Sequence, residues 1–298
     1  MRPAGSGPSG GKGWAVAALA LNALAWGLSW GPFRALQAQG LHPLWATALI
    51  YTLAAAVITA WRPAAWPQLL HTRSLWMLVL ASGTTNAAFN WGVTVGDVVR
   101  VVLLFYLMPL WAVLLARWLL HEPLTLRAGL RVGLALCGAL IVLWPRGGPA
   151  DGLPLPRSLP EWLAVLGGFT FALNNVLLRR ESHQPEAARA LAMFLGGAVV
   201  AGALAALLAA QGTIPAPPAP GAGWLLGCVA LATAFLAGNL ALQFGAAHLP
   251  AHVTAVVMIT EVLFASASAV WLGAGELSAG LVVGGLLIVA AAVLSGLD

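Results

Sequence analysis

Apolar runs of about twenty residues, one after another with few charges between them, leave this chain little choice of fold. A helix of that length crosses a hydrocarbon core of roughly 30 Å, and inside lipid the helix must satisfy its own backbone polar groups. Of the 298 residues, 60% are hydrophobic and only 8% charged, too few charges to cover the surface of a soluble domain of this size. The sequence predicts an all-α polytopic membrane protein.

Ten spans are expected, at 14–36, 43–61, 74–95, 99–119 and 127–144, then at 159–180, 188–210, 222–246, 250–272 and 278–297. The interruptions have the chemistry of breaks: Arg62-Pro63, Trp66-Pro67, Gly96-Asp97, His121-Glu122-Pro123, Arg179-Arg180-Glu181 and the prolines from Pro215 to Pro220. The first apolar run exceeds a signal-peptide core, so it is expected to stay as a span behind a cytoplasmic tail, 1–13. A Gly/Pro-rich linker, 145–158, then separates a first half, 14–144, from a second, 159–298.

The two halves repeat one another. Asn86-x-x-x-Asn90-Trp91-Gly92, Tyr106-Leu107-Met108-Pro109 and Glu122 are matched by Asn239-x-x-x-Gln243-Phe244-Gly245, Ile259-Thr260-Glu261-Val262 and Glu276, each 153 or 154 residues further on. With both termini on one side, Arg2, Lys12, Arg62, Arg73, Arg117, Arg127, Arg131, Arg179, Arg180 and Arg189 share that side, against Arg34, Arg100, Arg146 and Arg157 opposite. The basic excess places both termini in the cytoplasm. Five spans per half is odd, so the second half enters from the opposite face. The prediction is two inverted five-helix repeats, with a binding site near mid-membrane where they meet.

These paired halves, with Trp26-Gly27 leading to Arg34 and fourth spans built around Met108-Pro109 and Glu261-Val262, resemble the EamA family of the drug/metabolite transporter superfamily. The family's Glu-Pro pair is split here, the first half keeping the proline and the second the acid. Tyr106-Leu107-Met108-Pro109 is similar to the aromatic amino-acid exporters. The resemblance implies a secondary transporter in the cell's inner (plasma) membrane that moves small metabolites outward. Amino acids with aromatic or other neutral side chains are the expected cargo, with nucleotide-like metabolites or organic cations and drugs as the alternative.

Polar side chains within spans are costly unless they meet a partner or a wet cavity. Asn22, Trp26, Trp30 and Arg34 recur every four residues and form one helical stripe. Ser82, Asn86 and Asn90 do the same in the third span, with Trp91 beside them, while Asn174 and Asn175 mark the sixth and Asn239 and Gln243 the eighth. These amides, with Trp26, Trp30, Trp91 and Tyr106, are the candidate substrate contacts: amides serve either a carboxylate or an ammonium group, and indoles attract rings and cations. The plain alternative is that they glue helices together. Trp14, Trp45, Trp61, Trp66, Trp76, Trp118, Trp144, Trp162 and Trp224 lie near span ends and read as an interfacial belt.

Glu261 is the one acid well inside an expected span. Burial there disfavours its charge, which suits proton coupling or a cation contact, although a structural pair with Arg100, His252 or an amide is an equal reading. Arg34 and Arg100, on the outer side, could attract a cargo carboxylate or could snorkel to headgroups. Pro32, Pro109 and Pro250 are candidate kinks, with Pro109 as a candidate gating point. Gly129-x-x-x-Gly133 and Gly280-x-x-x-Gly284 permit close packing inside the bundle or between two copies, so monomer and homodimer both stay open.

Cys137 and Cys228 read as small packed residues. No phosphate loop, metal cluster or nucleophile triad is present, so neither an enzyme nor a cofactor is expected, and the scattered basic residues do not make a nucleic-acid surface. A membrane enzyme or a passive channel is the rival class. The expected partners are a small-molecule substrate, the bilayer and, through Glu261, protons.

Overall fold

The computed structural model describes residues 10–95, 101, 104–123, 125–143, 156–271 and 279–296, and among them it is helical, with no strand. The helices are α1 (Gly10–Leu28), α2 (Trp30–Ala38), α3 (Pro43–Trp61), α4 (Ala65–His71) and α5 (Arg73–Val95). After them come α6 (Met108–Leu115), prolonged by a π turn over Ala116–Leu120, and α7 (Leu126–Leu143). The later elements are α8 (Leu159–Arg180), α9 (Glu186–Ala210), α10 (Ala222–His248), α11 (Ala251–Met258), α12 (Glu261–Trp271) and α13 (Ala279–Gly296). Among the described residues, five stretches are long and apolar enough to cross a membrane: Lys12–Ala38, Pro43–Trp61, Leu159–Arg180, Glu186–Ala210 and Ala222–His248. With the shorter apolar helices beside them, they make this an all-α polytopic membrane protein.

Local chemistry sets the ends. His42 caps α3, its Nδ1 accepting the Leu44 N–H at 3.2 Å, and Pro43 opens the helix where no N–H is needed. Partial burial holds the His42 imidazole below its ordinary range. Pro185 and Pro250 stand immediately before α9 and α11. Pro250 therefore starts a helix and does not kink one. Gly212, at φ +70, ends α9 in the left-handed conformation that glycine adopts most cheaply.

The proline loop that follows is clasped by two indoles. Trp45 Nε1 donates to the Pro215 carbonyl at 3.2 Å, and Trp224 Nε1 donates to that of Ala219 at 3.1 Å. Trp224 is buried and leaves the expected interfacial belt, whereas Trp14, Trp61, Trp118 and Trp162 are exposed as the belt requires. Trp144, Arg100, Arg146 and Glu276 lie outside the described residues.

Three expected spans are not continuous. The first breaks after Leu28, where the Ser29 hydroxyl donates to the Trp26 carbonyl at 2.6 Å and Pro32 removes an N–H one turn on. The fourth and ninth break at matching places. At Tyr106-Leu107, the Leu107 N–H turns to the Leu104 carbonyl at 3.3 Å, and the Leu110 N–H to that of Leu107 at 3.0 Å. At Ile259-Thr260, the Thr260 N–H turns to the Val257 carbonyl and the Leu263 N–H to that of Thr260, both at 3.0 Å. Each bond of one set is the other shifted by 153 residues. Both sites tighten from i→i−4 to i→i−3 bonding, a local 3₁₀ turn. Pro109 therefore sits in the first turn of α6 and not mid-helix, and Glu261 opens α12.

Helix packing obeys the same shift. α1 lies against α10 and α12, while its counterpart α8 lies against α5 and α6. α3 packs on α9, and α7 on α13. Small residues make these approaches possible. A Cβ on Gly83 would stand 2.5 Å from the Gly196 carbonyl oxygen, which brings α5 and α9 into backbone contact. Between α7 and α13 the close pair is Gly138 with Gly284, where a Cβ on Gly138 would lie 2.7 Å from the Gly284 oxygen. Gly129 and Gly133 meet nothing within 4 Å. The contact thus forms inside the bundle, between Gly284 of the expected second motif and a glycine five residues beyond Gly133 of the first. Cys137 is exposed on α7 and Cys228 buried in α10, both as free thiols.

One basic residue taken as a topology marker is buried. Arg189 is 2% exposed near the start of α9, with Nη1 3.4 Å from the Leu178 carbonyl of α8. Arg179, at the end of α8, donates to the Ala247 carbonyl of α10.

Candidate functional site

A cavity opens where the two broken spans meet the first helices of both halves. It encloses about 710 Å³ of empty space, its open end included. Among the described residues it is lined by Asn22 and Trp26 of α1, Tyr51 of α3, and Ser82, Thr85, Asn86 and Phe89 of α5. Phe105 stands just before the first break, and Phe171 and Asn174 come from α8. Met193 and Phe194 of α9, Phe235, Asn239 and Leu242 of α10, Met258 of α11 and Glu261 of α12 complete the wall. Four pairs in this wall, Ser82/Phe235, Asn86/Asn239, Phe89/Leu242 and Phe105/Met258, are separated by the repeat distance of 153. Both halves therefore build it.

Glycines bring the breaks to the wall. A Cβ on Gly27 would lie 2.8 Å from the Glu261 backbone carbonyl oxygen, and one on Gly168 would lie 2.5 Å from that of Phe105. The first helix of each half thus presses a bare backbone against the broken span of the other half. Trp26, the neighbour of Gly27, and Glu261 both line the cavity.

The wall is aromatic on two sides. Trp26 and Phe235 stack with centroids 4.4 Å apart and planes 17° from parallel, and Tyr51 meets Phe235 edge-on at 6.3 Å. Across the cavity Phe105 packs on Phe89 at 4.6 Å and on Phe171 at 5.7 Å. Polar groups punctuate these rings. The Tyr51 hydroxyl donates to Asn86 Oδ1 at 2.8 Å, and the Asn86 amide donates to the Ser82 carbonyl, also at 2.8 Å. The Thr85 and Thr170 hydroxyls join α5 to α8 at 2.9 Å. Asn22 Nδ2 donates to the Met258 sulfur at 3.3 Å and Asn239 Nδ2 to that of Met193 at 3.1 Å, both weak acceptors.

The sequence candidates divide accordingly. Asn22, Trp26, Asn86, Asn174, Asn239 and Glu261 line the cavity. The break at Ser29 diverts the rest of the first stripe. Trp30 Nε1 donates to Ser268 Oγ of α12 at 3.0 Å, and the exposed Arg34 guanidinium lies 5.1 Å from the Trp30 ring centroid. Asn90 Nδ2 bonds Thr47 Oγ1 at 2.5 Å, and Trp91 packs with the α3–α9 cluster. Gln243 Nε2 donates to Asn239 Oδ1 at 2.8 Å, so it stands behind the wall. Asn175 is fully buried with neither amide atom hydrogen-bonded. Tyr106 is buried edge-on to Phe105 at 6.0 Å, in the break itself, and Pro109 is buried one turn beyond.

Tyr51 and the phenylalanines are contacts that polar spacing does not reveal. Tyr51 left one sequence signal, a tyrosine at the centre of an otherwise apolar span. Two further contacts join the halves beyond the cavity. One is Trp30 to Ser268. The other pairs His252 Nδ1 of α11 with Glu122 Oε2, just past the π turn, at 3.9 Å. His252 therefore belongs with Glu122 and not with Glu261.

Residues 13–144 match the family model described as the EamA-like transporter family. Twenty-three chains of solved structures share the fold. One of them, described only as "Crystal structure of protein", aligns over 95% of this chain and 96% of its own, with a TM-score of 0.78 and 21% identity. At that identity the likeness is one of fold. No curated protein matches the sequence. Over residues 13–144, a little under half of its length, the chain is thus similar to the EamA-like transporter family.

Proposed function

We propose that the protein is a secondary exporter of small metabolites, amino acids with aromatic or other neutral side chains first among them. It works by alternating access in the cell's inner membrane, with both termini cytoplasmic and the halves 14–144 and 159–298 rocking about the cavity. The observation that carries this reading is the paired break. Two spans are interrupted at repeat-related positions, and both breaks adjoin one cavity built by both halves. Broken helices at a repeat interface are where such transporters bind cargo. The cross-half contacts fit two gates, Glu122–His252 toward the cytoplasm and Trp30–Ser268 toward the outside. No described lining residue is basic, which speaks against a nucleotide-like cargo.

Counterflow in proteoliposomes with a panel of labelled amino acids tests this. Exchange of one or a few of them, saturable and competed by unlabelled cargo, is the expected result. Flux that never saturates would establish a channel instead. Glu261 is the proposed proton carrier. Efflux from loaded vesicles should quicken when the outer solution is more acidic than the lumen, and Glu261→Gln should abolish that response. An unchanged response in the variant removes Glu261 from coupling.

A further inference from the structure

The cavity offers a cargo one charge. Glu261 is the sole ionisable acid among the described lining residues, and no Lys, Arg or His joins it there. The nearby basic groups are engaged elsewhere. Arg34 lies over Trp30, Arg179 and Arg189 are bonded to backbone carbonyls, and His252 faces Glu122. Glu261 itself has no hydrogen-bond or ion-pair partner among the described residues. A carboxylate in a water-poor cavity is costly until a counter-charge reaches it.

Hydrogen-bond donors for a cargo carboxylate are scarce as well. The Asn174 amide, which lines the cavity, has no hydrogen-bond partner among the described residues. By contrast, the Asn86 amide is committed to the Ser82 carbonyl, the Tyr51 hydroxyl to Asn86 Oδ1, and the amides of Asn22 and Asn239 to methionine sulfurs. At the break before Glu261 most backbone donors stay paired. The Thr260, Val262 and Leu263 N–H groups all keep i→i−3 carbonyl partners.

Resting on the transport reading above, we propose that this cavity selects its cargo by an ammonium group paired with Glu261, with the Trp26–Phe235 rings taking an aromatic end. A cargo carboxylate is dispensable, so arylalkylamines are substrates in their own right. The rings supply attraction to the ammonium through their π faces in addition to apolar contact, and Trp26 and Phe235 line the same cavity as the acid.

Three probes with one ring separate the contributions: phenethylamine, phenylalanine and 3-phenylpropionate, measured by equilibrium binding to the full-length protein in lipid nanodiscs. Phenethylamine should bind at least as tightly as phenylalanine, and phenylpropionate at least about tenfold more weakly than either, the factor that 1.4 kcal/mol gives. Glu261→Gln should weaken phenethylamine by a similar factor, and Glu261→Asp should restore part of it. The proposal is overturned if phenylpropionate matches phenylalanine, if phenethylamine fails to bind, or if the Gln variant holds the amine as tightly as the unmodified protein. The three-probe series on that protein needs no variant to fold. Phenylalanine counterflow without amine binding would sink only this inference, whereas no exchange of any cargo would sink the transport reading as well.

Discussion

Gly27 of α1 touches the broken ninth span so closely that a methyl group in place of its hydrogen would stand 2.8 Å from the backbone carbonyl oxygen of Glu261. The same methyl would meet Phe264 Cβ at 2.8 Å and the Ala265 nitrogen at 3.1 Å. All three lie on or next to a backbone that cannot rotate aside. Gly27→Ala must therefore push α1 and α12 apart, at the ~1–3 kcal/mol typical of overpacking. Exchange should fall severely and the melting temperature should drop, while Gly133→Ala, which meets nothing within 4 Å, leaves both unchanged.

Tyr51 anchors the opposite wall. Its hydroxyl bonds Asn86 at 2.8 Å, and both residues are buried. Tyr51→Phe keeps the ring against Phe194 and Phe235 but leaves Asn86 Oδ1 without that donor. A loss of about 1 kcal/mol is expected, read as a melting shift and a several-fold rise in the cargo concentration that half-saturates exchange. Tyr51→Ala should cost considerably more, because the cavity loses the ring as well.

Pro109 offers the converse test. In the first turn of α6 its missing N–H breaks no helical bond. Pro109→Ala should then change stability by less than about 1 kcal/mol, and the exchange rate should stay within about twofold. A collapse of transport in this variant would show that the proline, and not the tightened turn before it, creates the break.

The architecture was legible because lipid allows so few solutions. The apolar runs placed nearly every described span, and the landmarks from Asn86/Asn239 to Met108/Glu261 carried the repeat that helix packing follows. The breaks were not legible in the same way. Ile259 and Thr260 include neither Gly nor Pro, so nothing local announces the turn. Its position coincides with the close approach of Gly27, a tertiary event that periodicity does not record.

Polar spacing found only part of the cavity for a related reason. Asn22, Asn86 and Asn239 stand out in apolar runs, whereas Phe105, Phe171 and Phe235 look like any core ring. The Arg34 end of the first stripe was misleading because a regular four-residue spacing assumes a continuous helix, and Ser29 ends it. Trp224 looked like a belt residue because burial by the proline loop depends on a fold that the sequence shows only as a break.

The claim that one cavity opens alternately to both sides is tested most directly at Ser82, which lines the cavity and is only 4% exposed. Ser82→Cys is placed in a chain whose own thiols are replaced by Cys137→Ser and Cys228→Ala. It is then exposed to a membrane-impermeant thiol reagent from each face of oriented vesicles in turn. Labelling from both faces, slowed by cargo and abolishing exchange, is the predicted result. Labelling from one face alone while exchange is running, or exchange that survives complete labelling, would contradict it.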